Sequence, residues 1–262
     1  MPLAQAGAAQ VAAPTVPQRR TGLLAWDVVR SDPPSHWEMG VQWDSVLGGS
    51  IYHRVALDDV NVKTFDVNES QSAAAFYVYT SVTGGMIGES AVDYQAMARK
   101  RLEGLETVGV ERAIRDTILI PNASLPDVSP KTQAEGLSII EQVMAANYGG
   151  LPMLYASVAD VVQGSKGSNV LGSEDGRVYT AVGTPVAAGA GFLTNQGTTV
   201  DGTASGPGEF FVFASGYPTL YRSEVFTFTA PDYDKNQARH IAERIYVAIL
   251  DAPITAVLVN RT

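Results

Sequence analysis

The chain has 262 residues, no cysteine and a formal net charge of -9. The lack of cysteine excludes disulfides, thiolate metal sites and a cysteine nucleophile, and the scattered basic residues do not form the positive stripe that sequence-independent nucleic-acid binding requires. No apolar run reaches the roughly 18 residues that span a bilayer, and Arg19 and Arg20 follow the small apolar residues of the N-terminus instead of preceding them, which predicts a soluble protein without a secretory signal.

The first 50 residues predict an extended arm. Prolines oppose a regular helix, whereas tryptophans need a large apolar surface to cover. The arm therefore lies across a folded surface, and that surface belongs either to its own domain or to another subunit. The prolines are Pro2, Pro14, Pro17, Pro33 and Pro34, and the anchoring tryptophans are Trp26, Trp37 and Trp43.

Residues 51–84 predict a β-hairpin. A first strand covers 55–65, the polar stretch 66–72 forms the turn, and the β-branched and aromatic run AFYVYTSV at 75–82 returns. Gly84 and Gly85 then end the strand.

Residues 90–119 predict one long helix. Ser90 is placed to cap it, with Asp93 three residues later as a variant of the capping box. Gly104 and Gly109 lie inside the helix and predict a kink or close packing there. An apolar stripe recurs at helical spacing. Its members are Tyr94, Met97, Ala98, Leu102, Leu105 and Val108, continued by Val110, Ile114 and Ile118.

The charges of this helix predict ion pairs on a solvated face. Three pairs of opposite charge stand at the i,i+4 spacing that brings side chains together. They are Arg99 with Glu103, Glu111 with Arg115, and Arg112 with Asp116.

The second half of the chain predicts one more long helix and then mainly strands. Thr132 and Glu135 form a capping box for that helix, and Gly149 and Gly150 end it. Its apolar face is Leu137, Ile140, Val143 and Met144. The run LPMLYASVADVV at 151–162 predicts a strand followed by a short helix, and the Gly-rich stretch 164–208, including GSKGS at 164–168, predicts loops with short strands.

Four closing strands are predicted at 210–214, 219–228, 239–250 and 254–259. The third shows alternation typical of a half-buried strand. Its predicted buried face is Ile241, Ile245, Val247 and Ile249.

The sequence indicates no reaction chemistry. His36, His53 and His240 are isolated and predicted to be structural, because no metal-ligand spacing surrounds them. Neighbouring acids such as Asp58 and Asp59 lie in predicted turns, where carboxylates are ordinarily solvated. We therefore predict no catalytic residue, no cofactor-binding residue and no metal ligand.

The order of these elements resembles the major capsid proteins of tailed bacteriophages and the related encapsulin shells, which share the Hong Kong-type capsid fold. Further similarity lies in ARKRLEGLETVGVERAI at 98–114, ANYGGLPMLYA at 146–156, the stretch 222–226, and the run from 223 to 259. The resemblance implies an α+β fold with an N-terminal arm, an extended loop, a spine helix, and peripheral and axial domains. Its implied domain ranges are the arm at 1–45, the extended hairpin loop at 46–89, the peripheral domain at 90–149 and 219–262, and the axial domain at 150–218.

The resemblance implies a non-enzymatic structural subunit of an icosahedral shell, in pentamers and hexamers around a genome within a virion assembled in the host cytoplasm. Expected partners are copies of the chain, with scaffolding, portal or decoration proteins as further candidates; scaffolding would be a separate protein, because no scaffold-like helical leader is evident. No specific nucleic-acid or membrane binding is expected. Candidate inter-subunit contacts are Trp26, Trp37, Trp43, Lys63, Phe65, Arg99 and Arg101. Some relatives cross-link their subunits through a lysine and an asparagine. In this chain, the resemblance makes Lys63 the candidate lysine.

Two alternatives remain open at the level of sequence. An encapsulin-type compartment or a minor head or tail protein would use the same fold. A soluble hydrolase-like enzyme, whose Ser or Asp site assembles from residues scattered along the chain, belongs to a different class.

Overall fold

The computed structural model describes residues 21–44, 70–85, 93–167, 171–192, 202–251 and 253–260. These residues form helices and three sheets of two, four and six strands, which confirms the α+β class. The helices are α1 (Tyr94–Ile114), α2 (Gln133–Asn147) and α3 (Val158–Gly167). The strands are β1 (Val41–Asp44), β2 (Ser70–Ala73), β3 (Ala75–Gly85), β4 (Pro152–Ser157), β5 (Leu171–Glu174), β6 (Arg177–Thr180), β7 (Pro185–Gly189), β8 (Glu209–Gly216), β9 (Thr219–Arg222), β10 (Phe226–Asp232), β11 (Gln237–Ile249) and β12 (Thr255–Asn260).

The predicted long helix is present as α1, with a different cap, and its predicted stripe is buried at Ala98, Leu102, Val110 and Ile114. Asp93 is the N-cap and accepts a hydrogen bond from the Ala96 N–H at 2.9 Å, whereas Ser90 lies outside the described residues. Met97 and Leu105, predicted to be core, are exposed. The buried residues recur every four positions, with Glu111 as an addition to that series. They are Ala98, Leu102, Glu106, Val110, Glu111 and Ile114.

The irregularity predicted for this helix lies beyond its glycines. A π-helical turn, Arg115–Leu119, follows α1, and a last helical turn, Ile120–Asn122, ends the run. The prediction of close packing is confirmed at Gly109, where a Cβ atom would lie 2.5 Å from Val78 Cγ1. It is wrong at Gly104, where a Cβ atom would meet nothing within 4 Å.

The four-stranded sheet packs one face on α1. Its order is β10-β11-β3, and β9 pairs with the end of β11. The predicted buried face of β11 is right at Val247, which is buried, and wrong at Ile241, Ile245 and Ile249, which are partly exposed. The side chains toward α1 are mostly alanine, and small side chains let the helix approach the sheet closely. The buried residues on that face of β11 are Ala238, Ala242, Tyr246 and Ala248.

The predicted hairpin is organised differently. The first strand, 55–65, lies outside the described residues. Residues 70–73, mostly predicted as turn, form β2, which pairs antiparallel with β1. The predicted return strand is present as β3, but it pairs with β11 from Ala75 to Gly85.

The six-stranded sheet has the order β12-β8-β4-β7-β6-β5, with β4 and β7 parallel. One face, including Tyr155, Phe211 and Phe213, joins the core that contains α1. The other face, including Phe210 and Val257, packs with α2, whose predicted Thr132–Glu135 capping box is confirmed. Each face is therefore covered within the subunit.

Two segments differ from their predicted places in this half. Strand β12 pairs with β8 in the six-stranded sheet, although residues 254–259 fall in the range 219–262 that the resemblance implies for the peripheral domain. Helix α3 continues to Gly167, so most of the GSKGS segment is helical and the prediction of a loop there is wrong. The strand-to-helix order predicted for 151–162 is confirmed by β4 and α3.

Candidate assembly surface

Several polar side chains in the described part of the chain hydrogen-bond to other groups of the fold. Ser157 accepts the Asp160 N–H at 3.1 Å and so caps α3. Glu141 accepts hydrogen bonds from the hydroxyls of Thr180 and Thr184 at 2.6 and 2.8 Å. Within the described ranges, no group of three His, Cys, Asp or Glu side chains could hold a metal ion.

The two described histidines have structural surroundings. His240 stacks on Tyr94 with ring centroids 5.3 Å apart, and its Nδ1 lies 3.1 Å from the Thr229 hydroxyl. His36 has a left-handed backbone with φ 62° just before the Trp37–Met39 turn. His53 lies outside the described residues. In the part of the chain that the structure describes, no helix is long and apolar enough to cross a membrane.

Aromatic side chains project from the outer face of the four-stranded sheet, opposite α1. On β3, Tyr77 and Tyr79 are 59% and 70% exposed, and on β10, Phe226 and Phe228 are 47% and 42% exposed. Directly opposed residues of an antiparallel pair lie on the same face. The register joins the two pairs across β11, because Glu243 is opposite both Tyr79 and Phe226. We call these four residues the aromatic face.

The chain covers one end of this sheet face itself. The 3₁₀ turn Trp37–Met39 packs on β11 and β3, and the Trp37 ring lies 6.2 Å from the Tyr221 ring. Tyr221 is opposite Val247, which is fully buried. The aromatic face continues this covered surface into solvent. Exposed apolar surface of this kind marks interaction sites in soluble proteins.

The inner face of the same sheet is fixed to α1 by a buried ionic cluster. The Arg244 Nη1 atom lies 2.8 Å from Glu106 Oε1, and the Tyr246 hydroxyl donates a hydrogen bond to the same oxygen. Burial raises the pKa of the Tyr246 hydroxyl, and its hydrogen bond to Glu106 raises it further. Tyr246 therefore stays a neutral donor, and the cluster connects the sheet to the helix.

The two-stranded ribbon of β1 and β2 forms a second surface. Residues 45–69 connect its strands and lie outside the described residues. At its base is a largely apolar groove of about 490 Å³. The groove is lined by Trp43, Phe76, Ile118 and Leu250. Among the described residues, the buried indole N–H of Trp43 has no hydrogen-bond partner.

Two of the predicted contact tryptophans pack within the subunit. Trp26 is buried, with Tyr179 edge-on at 5.3 Å and the Arg177 guanidinium 5.2 Å above its ring. Trp37 is buried on the four-stranded sheet. Little of either side chain is left to contact a neighbour, and the described part of the predicted arm packs on its own domain at these positions.

The other predicted contacts are spread over the molecule. Arg99 is exposed on α1. Arg101 donates a hydrogen bond to the Ser81 carbonyl at 2.8 Å, which ties α1 to β3. Trp43 is half-buried on the ribbon. Lys63 and Phe65 lie outside the described residues.

The aromatic face was not predicted from the sequence, although its signal is present there. The triplets Y-V-Y at 77–79 and F-T-F at 226–228 place aromatic residues two positions apart. Alternation with period two puts such residues on one face of a strand. The pattern does not indicate which face of the strand meets the core, because the packing of α1 determines that face.

The sequence matches no protein-family model, and no curated protein matches it significantly. Solved structures do match the fold. The capsid of an empty GTA particle has a TM-score of 0.58 at 10% identity and covers 97% of this chain and 95% of that one. The capsid of Ralstonia phage GP4 has a TM-score of 0.56 at 10% identity, covering 98% and 96%.

An encapsulin matches as well. The holo-SrpI encapsulin complex from Synechococcus elongatus has a TM-score of 0.53 at 12% identity, covering 97% of this chain and 92% of that one. The similarity in each case runs through nearly the whole length of both chains. The chain therefore has the Hong Kong-type capsid fold that the order of its sequence elements predicted.

Proposed function

We propose that this chain is a structural, non-enzymatic subunit of an icosahedral shell, and specifically the major capsid protein of a tailed bacteriophage. One observation carries the proposal: shell subunits match the chain over at least 97% of its length and over more than 90% of theirs. Fold alone does not fix function. Here the matched folds are those of assembled shells, and the molecule also exposes a surface suited to contacts between copies.

The aromatic face supplies that surface. Tyrosine and phenylalanine provide large contact areas and are enriched at protein interfaces. In this chain the four rings stand on a sheet that Glu106, Arg244 and Tyr246 fix to α1. A rigid platform loses little side-chain freedom on association, which favours repeated identical contacts. Such contacts between copies would close into pentamers and hexamers.

The remaining assignments form part of the same proposal. Residues 1–45 would be the arm, 46–89 the extended loop, 90–149 and 219–262 the peripheral domain, and 150–218 the axial domain. The shell would surround the genome in a virion assembled in the host cytoplasm. Its partners would be copies of the chain, together with scaffolding, portal or decoration proteins.

The test is to express the full chain alone and examine it by size-exclusion chromatography and negative-stain microscopy. We expect closed particles, or rings of five and six subunits, because contacts between copies would not require another protein. A stable monomer of 27.8 kDa at high concentration would contradict the proposal.

An encapsulin-type compartment is the second candidate, favoured by the encapsulin match at a TM-score of 0.53. Both candidates predict closed shells, so their contents distinguish them. Particles purified from the native source would contain DNA in the first case and a defined protein cargo in the second. Nuclease-protected nucleic acid and mass spectrometry of the contents measure these outcomes.

A further inference from the structure

Glu111 on α1 is a fully buried carboxylate. Its Oε1 atom accepts the Leu23 N–H at 2.9 Å, and its Oε2 atom accepts the Gly191 N–H at 2.8 Å. Leu23 begins the 3₁₀ turn Leu23–Ala25, and Gly191 follows β7. One side chain of α1 thus holds the backbone of two segments that are 88 and 80 residues away in sequence.

Arg115 holds the same glycine from its other side. Its Nη1 atom donates a hydrogen bond to the Gly191 carbonyl at 2.9 Å, and its Nε atom lies 2.7 Å from Asp116 Oδ1. Residues four apart share one face of a helix. Glu111 and Arg115, predicted from sequence to form an ion pair, therefore bind the N–H and the C=O of Gly191. We call these two hydrogen bonds, together with the one from Leu23 N–H to Glu111, the grip.

The backbone around this grip leaves no room for side chains. A Cβ atom on Gly191 would lie 2.7 Å from the Val108 carbonyl oxygen and 2.9 Å from the Arg112 nitrogen, both in the backbone of α1. A Cβ atom on Gly189 would lie 2.1 Å from the Glu111 carboxylate. The end of β7 therefore touches the helix directly.

Three parts of the molecule meet at this point. The segment 21–30 joins β7 through a hydrogen bond from Ala188 N–H to the Thr21 carbonyl at 2.9 Å. It joins β9 through hydrogen bonds between Leu220 N–H and the Val28 carbonyl at 2.8 Å, and between Arg30 N–H and the Leu220 carbonyl at 2.9 Å. Glu111 thus connects α1, the six-stranded sheet and the segment that bridges both large sheets.

We propose that Glu111 and Arg115 are positioning residues that fix the orientation of the six-stranded sheet relative to α1. A carboxylate suits this role because it offers two acceptor oxygens and no donor, matching two backbone N–H groups. The proposal rests on the proposed function only for its consequence, which is that the fixed orientation gives every subunit the shape that assembly needs.

The grip also depends on pH, with a defined sign. Burial raises the pKa of Glu111, opposed by its hydrogen bonds from Leu23 and Gly191. A raised pKa means that the closed arrangement binds a proton more tightly than an opened, solvated one. Burial of the charge therefore makes the closed arrangement less stable as pH rises through the raised pKa, whereas the hydrogen bonds from Leu23 and Gly191 favour the ionised carboxylate and oppose that loss.

Other charged groups lie near Glu111, and they stay unchanged when Glu111 alone is substituted. Arg112 lies on α1 itself, and Arg115 lies in the π-helical turn that follows it. Arg177 on β6 donates to the Ala25 carbonyl at 3.1 Å, and Asp27 follows the turn at Leu23. Residues 185–192 of the six-stranded sheet contain no ionisable side chain. Glu111 is the acidic group among them that is buried.

The test is hydrogen exchange of the full chain, measured by mass spectrometry on peptides covering 21–26 and 187–192. In Glu111→Gln, the amide oxygen accepts one N–H while the amide NH₂ opposes the other, so we expect exchange there to speed up by about tenfold or more. The exposed Glu103→Gln is the matched surface control. Glu106→Gln is the buried control, and we expect it to speed exchange in β10 and β11 instead.

Unchanged protection at 21–26 and 187–192, or an equal loss over both large sheets, would overturn the proposal. A pH series sharpens it, because the pH dependence of protection at 187–192 disappears in Glu111→Gln and persists in Glu103→Gln. If Glu111→Gln does not fold, Arg115→Gln carries the same test at 187–192. Exchange does not require assembly, so a monomeric chain that shows these changes would refute the shell function and retain the positioning role.

Discussion

The two large sheets of this molecule differ in how they are covered. The six-stranded sheet has apolar residues on both faces, and both are buried, by the core around α1 on one side and by α2 on the other. The four-stranded sheet buries the face toward α1 and exposes aromatic residues on the opposite one. The six-stranded sheet is covered on both faces by its own chain, whereas the four-stranded sheet leaves apolar area exposed to solvent. Its outer face is therefore the surface on which the proposed contacts between copies would form.

The largest expected effect is a difference in stability loss between a buried and an exposed phenylalanine. Phe213 is fully buried in the six-stranded sheet, and Phe213→Ala should lower the free energy of unfolding by about 3–5 kcal/mol. The same substitution at Phe226, about half exposed on the aromatic face, should cost about 1 kcal/mol or less. Urea unfolding of both variants measures the difference, and equal losses would contradict the division between the sheets.

The aromatic face should matter for contacts between copies. Tyr79 is 70% exposed, so Tyr79→Ser should change the stability of the free chain by only about 0.5 kcal/mol. If its ring is buried against a neighbour, the same change should weaken that contact by about 2 kcal/mol. The concentration needed for assembly would then rise roughly thirty-fold, as measured by light scattering.

Tyr79→Phe is the matched control for this prediction, because it keeps the ring and removes only the hydroxyl. We expect this variant to assemble at the concentration required by the unmodified chain. Assembly of Tyr79→Ser at that same concentration would remove the aromatic face from the proposed contacts and leave the ribbon of β1 and β2 as the surface to test next.

Sequence periodicity predicted most of the elements but not the face that each one buries. In β11, both alternating sets are apolar, Ile241 and Ile245 on one side and Ala242 and Tyr246 on the other. Side-chain hydrophobicity alone predicts that the side with the isoleucines is buried. The helix instead packs on the side where alanine permits close approach, which is a property of two elements together.

Local chemistry was easier to predict. The Thr132–Glu135 capping box involves residues three positions apart, and the structure forms it. Glu111 shows the opposite case. Its spacing to Arg115 predicted a surface pair, whereas its partners Leu23 and Gly191 lie in distant segments that no local pattern connects to it. The aromatic face was not predicted for the same reason, because the exposure of its four side chains depends on which face of the sheet packs on α1.

The next expected effect concerns the junction between the sheets. In Gly191→Ala, the new methyl group would meet backbone atoms of α1 at 2.7 and 2.9 Å, which can yield only if the sheet moves from the helix. We expect a loss of about 1–3 kcal/mol in the free energy of unfolding. Gly172→Ala on β5 is the matched control, because a Cβ atom there meets nothing within 4 Å. Thermal unfolding should show a lower Tm for the first variant alone.

The smallest expected effect has the opposite sign. Gly104 lies inside α1, on the side away from both sheets, and a Cβ atom there would meet nothing within 4 Å. Alanine restricts the unfolded chain more than glycine does and suits a helix better, so Gly104→Ala should stabilise the chain by about 0.5–1 kcal/mol. Gly109→Ala, in the same helix, should destabilise it, because its Cβ would press on Val78 at 2.5 Å. If both variants shifted the Tm in the same direction, helix propensity or packing alone would govern α1, and its contact with β3 would not be the close one that the structure shows.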